Sequence, residues 1–292
     1  MTAPLAEVEA EVQRALADGD DRHLAVLGYG EISLVVGWPA DAPAWACKRL
    51  PAFADETAAE RYRDVLDRYL DVLAERGVTP VPSTFATVEG ADGRRVGYVV
   101  QPVLPAATLG PAVLRAAEPD PDHPVVQEVC RRIVGAVDDR VGLDGQLSNW
   151  AVSADGELTY LDVTTPLLFD APGRLELDLG LFLAAYPWLL RAPIGRFVAP
   201  GVAAAYREPR HVIVDLAANL VKERLEGWIP AVLEAVETVV EPAITSEEVH
   251  RHYRSDARLW EAMLRLRRAD RWWQRHVRRR PYPFLLPGPI ER

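Results

Sequence analysis

The chain has 292 residues, enough for one large domain or for two lobes that each bury a core. Hydrophobic residues make up 49% and charged residues 26%, ordinary values for a soluble globular protein, and the net charge of −10 argues against nucleic acid as a partner, because an acidic surface repels phosphate backbones. The two cysteines, Cys47 and Cys130, lie far apart and lack metal-ligand spacing, which argues against a disulfide framework and fits a reducing cytoplasm.

Residues 1–14 are acidic and amphipathic and lack the basic start and apolar stretch of a signal peptide; residues 3–18 read as a helix with Leu5, Val8, Val12 and Leu16 on one face. Three short β-rich runs follow, at 24–27, 33–38 and 45–50, joined by turns and suggesting an antiparallel meander. The spacing of Tyr62, Leu66, Tyr69, Leu70 and Leu73 predicts a helix over 55–75, with Asp55 as its N-cap and Gly77 as its end. Strands are predicted at 83–88 and 95–101, joined by the turn 89–93, before Pro102 and Pro105 punctuate the chain. The second part is mostly helical, with helices at 124–139, 177–190, 212–225, 229–239 and 246–268 and a hairpin of strands 150–152 and 158–161 around the turn 154–156. The stretch 177–190 is the most apolar; it carries Asp178, is too short to cross a bilayer, and is read as a buried helix.

The fold class is therefore α+β: a small antiparallel β-rich lobe with one main helix, residues 1–101, and a larger, mostly helical lobe, residues 102–292. Several residues in this order could carry chemistry. Gly28 and Gly30, with Ser33 at the third place of a G-x-G-x-x-G pattern, sit between two strands, where backbone N–H groups can approach phosphates; a plain hairpin turn explains the same residues. Lys48 is one of only two lysines in a chain whose usual cation is arginine, and it stands on the third strand, placed to reach phosphates as a compact charge. A carboxylate on the following helix would orient it; Glu56 and Glu60 share a face, the sequence alone does not choose between them, and Glu60 is preferred as the one well inside the helix. Asp144, followed five residues later by Asn149 and, after a short hairpin, by Asp162, supplies what phosphoryl transfer needs: an orienter or base for an acceptor hydroxyl, and two oxygen ligands for Mg²⁺.

This combination resembles the aminoglycoside-phosphotransferase and choline-kinase branch of the protein-kinase-like superfamily, over about residues 22–182. The resemblance implies a bilobal kinase-like fold that uses ATP and Mg²⁺. Asp144 would be catalytic, Asn149 and Asp162 metal ligands, Gly28, Gly30 and Ser33 the nucleotide loop, Lys48 the phosphate lysine and Glu60 its partner. Residues 98–104 would form the hinge that holds adenine through backbone groups, with Gln101 and Val103 the residues assigned to it. Asp178 would match a structural aspartate. The usual His of the catalytic loop is absent, since the loop here reads Gly142-Leu143-Asp144.

The implied activity is transfer of a phosphoryl group to a hydroxyl of a small molecule or natural product. A peptide or protein Ser/Thr kinase of a biosynthetic pathway and a non-catalytic, pseudokinase-like nucleotide-binding module are the alternatives. The arginine-rich segment 264–280, with Trp272 and Trp273, motivates the peptide reading and suits an acidic substrate or a membrane surface; the plainer reading pairs its arginines with the chain's own acidic residues and packs its tryptophans as core.

Overall fold

The computed structural model describes residues 4–30, 33–90, 92–153, 155–170, 173–184, 186–280 and 282–286. Ala91 and Ala154 of the two hairpin turns, Glu31 and Ile32 of the glycine loop, and residues 287–289 of the tail lie outside them.

Helix α1 (Leu5–Asp18) buries Leu5, Val8, Val12 and Leu16, the stripe its periodicity predicts. Strands β1 (Ala25–Tyr29), β2 (Leu34–Trp38) and β3 (Trp45–Ala52) form the meander. Helix α2 (Glu56–Glu75) starts where the Asp55 carboxylate accepts the Ala58 N–H. After β4 (Thr79–Pro80), strands β5 (Thr84–Glu89) and β6 (Arg95–Pro102) complete a five-stranded antiparallel sheet in the order β1-β2-β3-β6-β5. Two-residue β4, not anticipated from the sequence, pairs in parallel with the later strand β8 and so belongs to a second sheet.

Side chains alternate across β3 and β6, as the pleat requires. Cys47, Tyr98 and Val100 face α1, where they form a satellite core with Leu5 and Val8. Leu50 and Val99 face α2 and join the main core. That main core continues without interruption through Tyr69, Leu143, Trp150, Ile213 and Val249, so both parts of the chain share it. On the α1 side, Glu9 and Arg49 form a buried double hydrogen-bonded ion pair, both contacts 2.8 Å, and the Tyr98 hydroxyl donates to the same carboxylate.

The helical part contains α3 (Gly110–Arg115), α4 (Pro124–Ala136), the hairpin β7 (Trp150–Val152) and β8 (Leu158–Tyr160), α5 (Leu179–Leu183), α6 (Trp188–Pro193), α7 (Ala199–Ala205), α8 (Pro209–Lys222), α9 (Ile229–Val236) and α10 (Ser246–His276). The structure corrects the reading of 177–190 as one buried helix. Pro187 interrupts it, since proline has no N–H to donate and the residue before it avoids helical backbone, and Leu181 and Phe182 of the short α5 are only partly buried. Helix α10 runs eight residues beyond its expected end at Arg268.

No helix among the described residues is long and apolar enough to cross a membrane. Cys47 and Cys130 are both buried and unpaired, and burial pushes their thiols up to about 11 and about 12.

Candidate active site

Lys48 lies mid-strand on β3, opposite Val35 and Val99, on the face turned toward the helical part. Its ammonium donates to Asp162 Oδ1 at 2.6 Å, across the junction of the two parts. Asp162 follows β8. The same Oδ1 accepts the Thr164 hydroxyl at 2.8 Å, and the Thr164 carbonyl accepts the hydroxyl of Tyr62 from α2 at 2.9 Å. Burial alone would raise the Asp162 carboxyl, but the Lys48 charge and the hydrogen bonds from Lys48 and Thr164 outweigh it and hold the group below the usual carboxylate range.

Asp144 sits in the loop before a short 3-10 turn, Leu147–Asn149. Its carboxyl is pushed up to about 7, first by burial, then by the negative charge of Asp162, then by that of Asp215, with the Gln146 N–H bond to Oδ1 (3.2 Å) opposing the rise. The Asp144 carbonyl accepts from Asn149 Nδ2 at 3.2 Å and from the Tyr160 hydroxyl at 3.1 Å. This brings Asn149 beside Asp144 and turns its amide nitrogen into the loop.

Two side chains hold the loop from outside. The Tyr69 hydroxyl of α2 donates to the Gly142 carbonyl at 3.0 Å, and Trp150 Nε1 donates to the Gly145 carbonyl at 3.3 Å. A Cβ on Gly145 would lie 2.6 Å from Val212 Cγ1 and 2.7 Å from Ile133 Cδ1, so the loop packs against α8 and α4 at a distance only glycine permits.

Behind the loop lies a polar network that the sequence reading missed. Gln146 Nε2 donates to Asp215 Oδ2 at 3.3 Å, Asn219 Nδ2 donates to Gln146 Oε1 at 2.9 Å, and His252 Nε2 of α10 lies 3.2 Å from Asp215 Oδ1. The hydrogen bond to Asp215 raises the His252 pKa, whereas burial and the neighbouring His252 lower that of His211, whose ring meets His252 edge-on at 5.3 Å. Two polar residues four apart in the otherwise apolar run 212–221 of α8, Asp215 and Asn219, were the available signal. Tyr62 and Tyr69, seven apart on the buried face of α2, were another.

The remaining expected residues are placed differently. Glu60 is exposed on α2 and does not meet Lys48, because the inward face of that helix is taken by Ala59, Tyr62, Leu66, Tyr69 and Leu73; Glu56 pairs with Arg95 at 2.8 Å. Asp162 is the carboxylate that Lys48 meets. Gln101 shares the Lys48 face of the sheet, but its side chain is a latch: Nε2 donates to the Ser83 hydroxyl and to the Leu161 carbonyl, both at 2.9 Å. The Val103 N–H, a hinge group expected to face adenine, donates to the Ala44 carbonyl at 3.0 Å. Gly28 pairs with Val35 just past a bulge. The Gly30 N–H donates to the Ser33 carbonyl at 2.9 Å, and Gly30 and Ser33 line a small crevice with Val12, Arg49, Arg267 and Phe284. The described hairpin tip thus contacts the α1 side of the sheet. Asp178 caps α5 through the Gly180 N–H at 2.8 Å.

Asp162 and Asn149 offer carboxylate and amide oxygens, a hard donor set suited to Mg²⁺, which commonly takes one or two carboxylates and leaves its other positions to phosphate and water. Among the described residues no cluster of three or more His, Cys, Asp or Glu side chains forms a self-sufficient metal cage.

An antiparallel sheet region followed by a mostly helical region, with a sheet lysine meeting a loop carboxylate at their junction, is the architecture of an α+β protein consistent with a bilobal kinase-like fold. The chain belongs to a family of unknown function, DUF6206, whose model matches residues 7–271. No curated protein matches the sequence. Among solved structures it is similar to WaaP in complex with acyl carrier protein, at 18% identity and a TM-score of 0.35, over 78% of this chain and 96% of that one.

Proposed function

We propose that the protein is an ATP- and Mg²⁺-dependent phosphotransferase that acts on a hydroxyl of a small molecule in the cytoplasm. The observation that carries this reading is the junction itself: Lys48 ion-paired to Asp162, with Asp144 and Asn149 on the adjoining loop. Lys48 has three N–H donors and spends one on Asp162, so the others can meet phosphate oxygens. Asp162 and Asn149 Oδ1 would hold Mg²⁺, which, when bound, neutralises charge on the transferring phosphoryl group. Asp144 takes the proton of the acceptor hydroxyl. The acceptor oxygen forms its bond to the γ-phosphorus, the bond from that phosphorus to the β,γ-bridging oxygen breaks, and ADP leaves with the electron pair. A carboxyl whose pKa is pushed up to about 7 is a stronger base than an ordinary aspartate at the same pH.

A second reading is a nucleotide-binding module without transfer activity, favoured by the departure of Gly142-Leu143-Asp144 from the histidine-containing loop of the resembled family and by Ser33 at the third place of the glycine pattern. A thermal-shift titration with ATP, with and without Mg²⁺, comes first. Metal-dependent stabilisation is expected, and its absence overturns the phosphotransferase assignment. Asp144→Asn then separates the two readings. Under the first, ATP turnover is lost while the thermal shift stays; turnover equal to that of the parent chain removes Asp144 from the role given to it.

A further inference from the structure

Helix α10 turns Val249, Leu264 and Arg267 inward, and among the described residues no element covers its other face. On that face Leu259, Leu266, Trp273 and Val277 are 54%, 42%, 48% and 47% exposed. They recur at intervals of seven, seven and four residues, which places them in one line along the helix, about 27 Å long at the α-helical rise of about 1.5 Å per residue. Ala262 and Ala269 are exposed on the same stripe, and Trp272 borders it.

The charge around the stripe is mostly positive. Residues 251–280 hold eleven arginines against three acidic residues, in a chain whose net charge is −10, so the rest of the molecule carries the whole negative excess. Some of these arginines are used internally: Arg275 Nη2 donates to the Leu16 carbonyl at 3.0 Å, and Arg267 stacks on Phe284. Arg254, Arg258, Arg278, Arg279 and Arg280 are exposed and take part in none of the ion pairs found among the described residues. Arg254, Arg258 and Arg265 follow one flank of the stripe, and the other three lie at its end.

We propose that this ridge docks on an anionic lipid bilayer surface, with Leu259, Leu266, Trp273 and Val277 entering the headgroup layer and the flanking arginines meeting lipid phosphates. The outer face of a helix is convex. A bilayer accepts that shape without a complementary groove, and aliphatic and tryptophan side chains bordered by arginine are the composition of a helix that lies in the interface plane. A second copy of the chain fits poorly, because it would bring two arginine-rich faces together. Segregating positive charge on one helix of an acidic protein also orients it, with the ridge toward a negative surface and the rest away. The proposal stands apart from the phosphotransferase reading.

The experiment is co-sedimentation of the full chain with vesicles of phosphatidylcholine alone or mixed with phosphatidylglycerol. Pelleting is expected only with the anionic vesicles, and added salt should release the protein. Leu266→Glu with Trp273→Glu should weaken partition about tenfold or more, as should Arg258→Gln with Arg278→Gln and Arg279→Gln, which remove charge without touching the apolar line. All five positions are exposed, so circular dichroism and the melting temperature should stay with the parent. No pelleting with anionic vesicles, or pelleting that both variants leave unchanged, overturns the proposal. So does a dimer in light scattering that the glutamate variant dissociates, which gives the ridge to a second copy. Binding of poly-glutamate without binding of vesicles also overturns it and gives the ridge to an acidic protein.

Discussion

Asp144, half-buried, and Glu9, buried, are carboxyls with opposite fates. Asp144 has no cationic partner in contact and is pushed up to about 7, above its ordinary value of 3.8. The folded chain therefore binds a proton there that the unfolded chain has lost, and the cost of this site to stability grows from about pH 4 to about pH 7 and is constant above. In metal-free protein, Asp144→Asn should match the parent at pH 4 and exceed it by about 1–4 kcal/mol at pH 8, as read by chemical denaturation in the presence of chelator. Glu9 is held below its ordinary value: burial would raise it, but Arg49 and Tyr98 outweigh burial. Its contribution is present above the unfolded pKa and is lost as pH falls through the folded one. Arg49→Ala strands the Glu9 charge in the core and should cost about 3–5 kcal/mol at neutral pH, with the deficit shrinking in acid as Glu9 takes up a proton. Lys48, Asp144, Asn149 and Asp162 were singled out in the sequence because their types and spacing fit one chemistry, and the structure gathers them at one junction. The Lys48 partner was not legible there, since the choice between a carboxylate one helix away and one 114 positions along the chain is made only by packing.

At the scale of elements, periodicity and caps placed α1, α2 and the sheet strands, and Asp55 does cap α2. The failures have physical causes. An apolar run at 177–190 was read as a helix on hydrophobicity, whereas Pro187 decides the backbone there. The hinge was read as free backbone, whereas the β3 ladder extends to Ala44 and takes the Val103 N–H. The contacts that hold the loop around Asp144 can be tested piece by piece. Tyr69→Phe removes the donor to the buried Gly142 carbonyl and should cost about 1–3 kcal/mol in denaturation. Gly145→Ala pushes a methyl into Val212 and Ile133 and should cost a similar amount, about 1–3 kcal/mol, by overpacking; a neutral result would mean that α8 can shift away from the loop.

At the scale of the whole molecule, α10 and the tail tie the end of the chain to its beginning. Arg275 meets the carbonyl of Leu16, and Leu285 packs with Val12, Leu16, Leu34 and Val36. Deleting residues 271–292 should therefore speed hydrogen exchange in β1 and β2, far along the sequence from the cut, while α8 and α9 keep their protection. The tryptophans of this segment are surface residues, contrary to the reading that packs them as core, and nothing in the primary structure distinguishes a Trp on the outer face of α10 from one on the inner face until the partner of each face is known.

Two-residue β4 has a topological consequence. The backbone leaves the first sheet after α2 to pair with β8, returns for β5 and β6, leaves again at Val103, and comes back a last time at residues 282–286. The halves are stitched by four passes of one thread. A protease nick beside Val103 would sever a single stitch, and the two fragments should elute together as one particle.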